Sequence, residues 1–363
     1  MISLDEVDRI LDQHISQTLV EELSVDSSNR RILAQDIIAE SDSPEQKRSQ
    51  INGYACKYDD LPEAELKALV ANEVLCGDAD TVLPKHFVED GKVNEYAMEQ
   101  IPKAYGVVAV GDVLKSGEAV LKKGTRLNPM KMALLKNLGH SSVRVFQEPK
   151  IAVFDFTDSK NKGFHTAVTE LLRQRMFVAE TIKDLEFLPQ PTFLQKKLNS
   201  YDLILTIADT GSAHEERLDY FRSFKIESTF TEIPCHPAED LSFHRLEGGT
   251  PLLHLPPTAT AAIMSLIRFI IPKLQKAKGL AEPFIHRARL SDMYSYAPQK
   301  TLLLPVSLKE GKTAILQVKP EEKLTLSSLE ALALSDGFIE LPAEQGRFPF
   351  GFEVPFYPWT PLT

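Results

Sequence analysis

Apolar residues recur at helical spacing from the start of the chain. Leu4, Val7, Ile10, Leu11, Ile15 and Leu19 predict an amphipathic helix. Arg31–Glu40 reads as a helical turn followed by a strand, and the polar run Ser41–Ser49, with Pro44, marks an exit from the first unit. Leu61, Leu66, Leu69 and Val70 predict a short helix over Leu61–Ala71, and the acidic stretch from there to Tyr105 has little period. Strands are expected at Val107–Val110 and Ala119–Leu121. A helix capped by Asn128, with Pro129 at its first position, should end at Gly139, and a strand should follow at Val143–Phe146. Strands at Lys150–Phe156, Phe177–Ile182, Asp202–Ala208 and Thr250–Leu255 then alternate with helices at Thr166–Met176, Phe193–Leu198 and Ala259–Leu274. Such alternation predicts an α/β unit with a doubly wound parallel sheet and any ligand at the C-terminal ends of its strands. From Phe284 the pattern shifts to short strands (Thr301–Val306, Thr313–Val318, Gly337–Leu341, Gly351–Phe356), a small β domain.

Composition narrows the function classes. With 43% hydrophobic and 25% charged residues the chain is ordinary for a globular protein, and its 363 residues exceed one simple core. A net charge of −10 argues against a nucleic-acid surface, which needs clustered Lys and Arg; the basic groups here are short, such as Lys122–Lys123. The most apolar run, Ala259–Ile271, is interrupted by Arg268 and stopped by Pro272, so it reads as a buried core helix and not as a membrane span. The acidic and polar start (Ser3, Asp5, Glu6, Asp8) lacks a signal pattern, so a cytoplasmic location is the expectation. Cys56, Cys76 and Cys235 are odd in number and widely spaced, which predicts reduced thiols. His236, His244 and His254 have no ligand spacing, and no metal is expected from them.

Several segments carry a more specific signal by their order. Arg31-Ile-Leu-Ala-Gln-Asp-Ile-Ile-Ala39, Ser49-Gln-Ile-Asn-Gly-Tyr-Ala55, Gly111-Asp112 with Gly117, Gly124-Thr-Arg-Leu127 and Leu138-Gly139, and Pro149-Lys-Ile-Ala-Val-Phe154 follow one another. Leu255-Pro256 and Leu324-Thr-Leu-Ser-Ser-Leu329 with Gly337-Phe-Ile-Glu-Leu341 complete the series. Taken together the chain resembles the molybdopterin molybdenumtransferase family, which includes the C-terminal domain of gephyrin. The resemblance implies four units. Residues 1–23 and 150–283 would form the molybdopterin-binding-like α/β domain, and 24–48 with 107–149 an elongated linker and dimerisation domain. Residues 49–106 would be a reduced insert, and 284–363 a C-terminal β-barrel-like domain. It also implies a homodimer.

The departures from the family pattern are concentrated at its site. Its Asp of the D-G-Y-A segment is Asn52. Its T-G-D-E-L loop is Phe156-Thr157-Asp158-Ser159-Lys160, where Thr157 replaces a ligand-facing glycine. Its S-G-G-V-S-x-G loop, which cradles phosphate, is Ile207-Ala208-Asp209-Thr210-Gly211-Ser212-Ala213: Ala208 and Asp209 replace the paired glycines, and Asp209 places an anion where one should bind. Its K-P-G-K-P segment is His236-Pro237-Ala238-Glu239-Asp240, and its L-P-G-N-P turn is Leu255-Pro256-Pro257-Thr258-Ala259. Asn52, Asp112, Asp158 and Asp219 remain as vestigial catalytic candidates. Thr157, Asp209, Gly211, Ser212, His236, Glu239, Pro256 and Pro257 outline a vestigial cleft. Asp112 and Asp158 serve equally well as turn caps, and Asp219 as the start of a helix.

The family's ligands are molybdopterin, molybdate and magnesium, and its pterin substrate is adenylylated and strongly anionic. Exchanging two lysines for His and Glu removes about three positive charges, each worth on the order of 3 kcal/mol at ~5 Å and an effective dielectric of about 20. No cofactor is therefore expected, and the reading is a pseudoenzyme reused as a scaffold for an unknown protein partner. The alternative is a divergent molybdenum insertase, or new small-ligand chemistry in the same cleft.

Overall fold

Ser3 opens the first helix, α1 (Leu4–His14), by accepting the Glu6 amide at 3.2 Å, and Val7, Ile10 and Leu11 turn one buried stripe inward. The computed structural model describes residues 2–61, 63–94, 99–158, 162–183, 196–222, 224–281, 284–296, 299–309, 316–320, 329–343 and 345–360. It divides into two units, Met1–Glu22 with Arg144–Thr363, and Leu23–Val143.

In the smaller unit, β1 (Ile37–Ile38) is joined later by another short strand. The centre is a three-stranded antiparallel sheet in which β2 (Gly53–Cys56) lies between β3 (Lys67–Leu69) and β4 (Thr81–Pro84). This corrects the helix expected over Leu61–Ala71. Leu61 and Leu69 enter two different apolar clusters, and the backbone of Lys67–Leu69 pairs with β2. Their spacing therefore serves two sides of a sheet and not one helical face. The helical turn expected within Arg31–Glu40 is also absent: Ile32 bridges Arg126, and β1 pairs with β5 (Ala119–Leu121). The capped helix is found as α2 (Pro129–Asn137), with the Asn128 side chain accepting the Lys131 amide at 3.0 Å.

The larger unit is built on β6 (Ile151–Phe156), which runs parallel to β7 (Ala179–Ile182) and to β8 (Leu203–Ala208), in register from Ile151↔Leu203 to Phe156↔Ala208. Helix α3 (Lys162–Gln174) follows β6, and α4 (Ser212–Arg222) follows β8. Beyond β8, the sheet continues through strands introduced in chain order as β9 (Ile226–Phe230), β11 (Ser242–Leu246) and β12 (Pro251–His254), in the order β7-β6-β8-β12-β11-β9. β12 is parallel to β8, whereas β11 and β9 are antiparallel additions at that edge.

Strand alternation sends Ile151, Val153, Leu203 and Leu205 to the face shared with α1 and α3. Ala152, Phe154, Ile204 and Ala208 go to the face covered by Phe221 of α4. Every residue of β6 and β8 is buried, as a sheet covered on both faces requires.

After β12 come α5 (Ala259–Ser265), a π-helical segment Leu266–Ile270 and α6 (Ile271–Ala277). The helix therefore runs past Pro272, in line with the helix expected over Ala259–Leu274. Pro272 falls in the first turn of α6, just after the widened segment, where its missing N–H costs little.

The short strand β10 (Cys235–His236) reaches out to the C-terminal sheet. That sheet comprises β13 (His286–Leu290), β14 (Thr301–Lys309), β15 (Leu316–Pro320), β16 (Gly337–Leu341) and β17 (Glu353–Pro358). Pairing of β14 with both β15 and β16 closes these five strands into a barrel-like ring around Leu304, Val318, Ile339 and Val354. The expected residues 193–195, 313–315 and 324–328, together with Ser159 and Lys160, lie outside the described residues.

Candidate functional site

The parallel strands β6, β8 and β12 end on one edge of the sheet, where open α/β sheets place ligands. Immediately after β6, the Asp155 carboxylate turns the chain: one oxygen accepts both the Thr157 amide at 2.9 Å and the Thr157 hydroxyl at 2.6 Å. The other oxygen is paired with Lys183. Thr157 is not among the residues with positive φ, so its loop avoids the left-handed backbone that a glycine there would permit. The side chain closes the turn that a glycine would leave open to a ligand.

After β8, the chain runs through Asp209 and Thr210 to Gly211, whose φ of +83° is left-handed backbone that glycine adopts without strain. Gly211 delivers the chain to Ser212, the first residue of α4. A helix N-terminus preceded by such a turn is suited to an anion. The anion present belongs to the chain: the Asp209 carboxylate accepts the Asp158 backbone amide at 2.8 Å, tying the loop after β8 to the loop after β6. A donor that would face a ligand phosphate is thereby satisfied internally, and a negative charge stands beside it.

Arg217, on α4, is the residue that sequence reasoning missed. It is 1% exposed. Its Nη1 donates to the Leu255 carbonyl at 2.8 Å, its Nη2 lies 2.7 Å from His214 Nδ1, and its Nε is buried without a partner. Burial pulls its pKa down to about 10, partly opposed by Asp240. His214 is lowered by burial and by the Arg217 charge, so its ring is the neutral acceptor of that contact. Arg217 thus clamps α4 to the turn after β12. Its segment, Glu215-Glu216-Arg217, reads in sequence as a solvated charge run, which hid it.

Pro256 is buried and Pro257 half-buried in that turn, and Thr258 uses it to cap α5 by accepting the Ala261 amide at 3.4 Å. His236 Nδ1 and Glu239 Oε1 are 2.8 Å apart, and Lys300 stands 3.6 Å from the same carboxylate oxygen. Glu239 is therefore matched within the protein. Cys235 beside it is buried, and burial pushes its thiol far up, away from thiolate chemistry.

Of the other candidates, Asn52 and Asp112 belong to the Leu23–Val143 unit. Asn52 accepts the Ala71 amide at 2.7 Å, a bond between segments 19 positions apart, and Asp112 accepts the Ala109 amide at 2.7 Å within one turn. Asp219 does not start a helix: it lies well inside α4, exposed, and pairs with Arg222 one turn on.

Of the three histidines, His244 and His254 lie with ring centroids 4.7 Å apart and planes tilted by 50°, each held by hydroxyls: Ser228 and Ser242 for His244, Thr206 for His254. His236 is engaged elsewhere. Among the described residues no group of three or more His, Cys, Asp or Glu side chains is placed to hold a metal ion.

Residues 2–139 match the model of the MoeA N-terminal region (domain I and II). The chain is 22% identical to a molybdopterin molybdenumtransferase of Synechocystis sp., over 99% of this chain and 100% of that protein. It is equally 22% identical to one from Haemophilus influenzae, over the whole of both chains. In fold it is similar to the molybdopterin biosynthesis MoeA protein of Pyrococcus horikoshii, with a TM-score of 0.79, 20% identity and full coverage of both chains. A molybdenum cofactor biosynthesis protein of Pyrococcus furiosus gives 0.62 at 16% identity, over 99% of each.

Proposed function

The chain belongs to the MoeA family, and from that premise we propose that it is a catalytically degenerate member, a cytoplasmic pseudoenzyme that keeps the molybdenumtransferase scaffold to bind another protein. The observation that carries this reading is the bond from the Asp158 amide to the Asp209 carboxylate. It fills the strand-end loops with the chain's own anion. A phosphate brought to the same place would meet a satisfied donor and a like charge, and both oppose binding.

The segment that would supply lysines instead offers His236 and Glu239, already paired with each other. Arg217 does restore one positive charge near the site. It lies beneath the surface, however, with both terminal nitrogens engaged by protein groups.

A calorimetric titration of the whole chain with an adenylylated pterin, or with the adenosine nucleotide alone, is expected to be silent at low salt. Binding that weakened steeply as salt rose would place an exposed basic surface in the cleft and overturn the reading.

A second reading, a divergent molybdenum insertase, is favoured by one feature: Gly211 keeps the left-handed turn into α4 that an anion-binding helix start needs. The two readings differ in whether the Asp158 amide can be released to substrate.

The proposed assembly is a homodimer. Val113 and Met130, 65% and 78% exposed in the Leu23–Val143 unit, are large apolar side chains that an interface would cover. Light scattering at micromolar concentration should return twice the 40.6 kDa chain mass; a stable mass of one chain would refute it.

A further inference from the structure

Away from the strand-end cleft, a cavity of about 500 Å³ opens where α1, the π-helical segment and α6 face the β17 strand, all within the larger unit. Its size is that of a small-molecule site. Ile267, Ile271, Pro272 and Phe356 supply apolar walls, and Phe284 and Ile285 stand at it 80% and 50% exposed. Two neighbouring apolar side chains left in water beside a cavity mark a surface that a ligand would cover.

The charges around the cavity are almost balanced. Arg268 pairs with Asp8 at 3.1 Å and with Glu340 at 2.6 Å. Lys273 pairs with Asp8 at 3.1 Å and Asp12 at 2.9 Å, and Lys276 pairs with Asp12 at 3.0 Å. Among the described residues, Arg175 is the cation at this cavity with no carboxylate partner. Its Nη2 donates to the carbonyls of Pro358 and Trp359, at 3.0 and 3.2 Å, and its Nε is buried without a partner among them. Burial shifts it downward. A half-buried guanidinium without a counter-charge is costly to the folded chain, and a ligand carboxylate would relieve that cost.

We propose that this cavity binds a small aromatic monocarboxylate, its ring against Ile267, Ile271 and Phe284 and its carboxylate on Arg175. One unmatched guanidinium calls for one negative charge in a planar group, which a carboxylate supplies and a phosphate dianion oversupplies. The apolar walls and the exposed phenyl ring call for a flat apolar body. The site shares no residue with the strand-end loops, and the inference stands whether or not the family activity is lost.

The test is calorimetry on the full chain with two probes of equal shape, naphthalene-2-carboxylate and the neutral naphthalene-2-carboxamide. The acid is expected to bind about tenfold tighter than the amide, the size of one charge-assisted contact. In Arg175→Met that preference should vanish. In Phe284→Ala, a change at an exposed position that folding does not need, both probes should weaken by a similar factor while the preference for the acid remains. Silence with the acid at millimolar concentration, or equal affinity of acid and amide for the unaltered chain, would overturn the proposal without recourse to any variant. So would an acid preference that survives in folded Arg175→Met.

Discussion

Gly53→Ala is expected to destabilise the Leu23–Val143 unit by about 3 kcal/mol or more, a loss read as a lowered unfolding midpoint in denaturant. A Cβ at position 53 would stand 2.2 Å from the Leu83 carbonyl oxygen and 3.1 Å from Val82 Cγ1. The first neighbour is backbone, fixed by the pairing of β2 with β4 (Tyr54↔Leu83), so it cannot move without opening the sheet. Gly77→Ala is the control. Its φ is +65° but nothing lies within 4 Å, so only about 1 kcal/mol of backbone strain should appear. Equal losses at the two positions would contradict the account. The result matters for reading the family motif: the glycine of Ser49-Gln-Ile-Asn-Gly-Tyr-Ala55 is required by strand packing, whatever the fate of the site.

Acid should unfold the larger unit through its buried histidines. Burial, with the Arg217 charge added, lowers His244 to about 4, and His254 is driven down in the same sense by burial, Arg217 and His244 itself. In the unfolded chain both rings titrate near their ordinary value, about 6.5. As pH falls below that value the unfolded state takes up protons first, so stability is full above it and is lost progressively toward the folded-state value. For His244 alone the loss between pH 6.5 and 4.5 should be on the order of 2–3 kcal/mol. Urea unfolding at several pH values measures it. His244→Gln, which can keep bonds to Ser228 and Ser242, should flatten the dependence by about that amount; an unchanged slope would show that the ring is not protonated on unfolding.

How much of this was legible beforehand depended on how local the signal was. The strands Ile151–Phe156 and Leu203–Ala208 are uninterrupted apolar runs, and the Asn128–Pro129 start of α2 is a short-range capping signal, so both could be read directly. The Leu61–Ala71 segment could not, because its leucines serve two clusters that only pairing with β2 brings together. The π-helical segment Leu266–Ile270 was not read either, since a widened turn leaves no periodic mark in an apolar run.

At the site, the exchange of glycine for Thr157 and the appearance of Asp209 were visible in the residues. The bond from the Asp158 amide to Asp209, 51 positions apart in sequence, was not. Arg217 was hidden for the opposite reason: a charged residue in a charged helix gives no sign that it points inward, and only the Leu255 carbonyl it meets reveals it.

The central claim is that the strand-end loops are filled by the chain itself and no longer serve molybdenum insertion. Complementation tests it most directly. The chain would be expressed at ordinary levels in a bacterial strain lacking its own molybdenum insertase, with molybdoenzyme activity as the readout. The account predicts activity no higher than that of the empty strain; activity restored toward that of a strain carrying an intact insertase would contradict it.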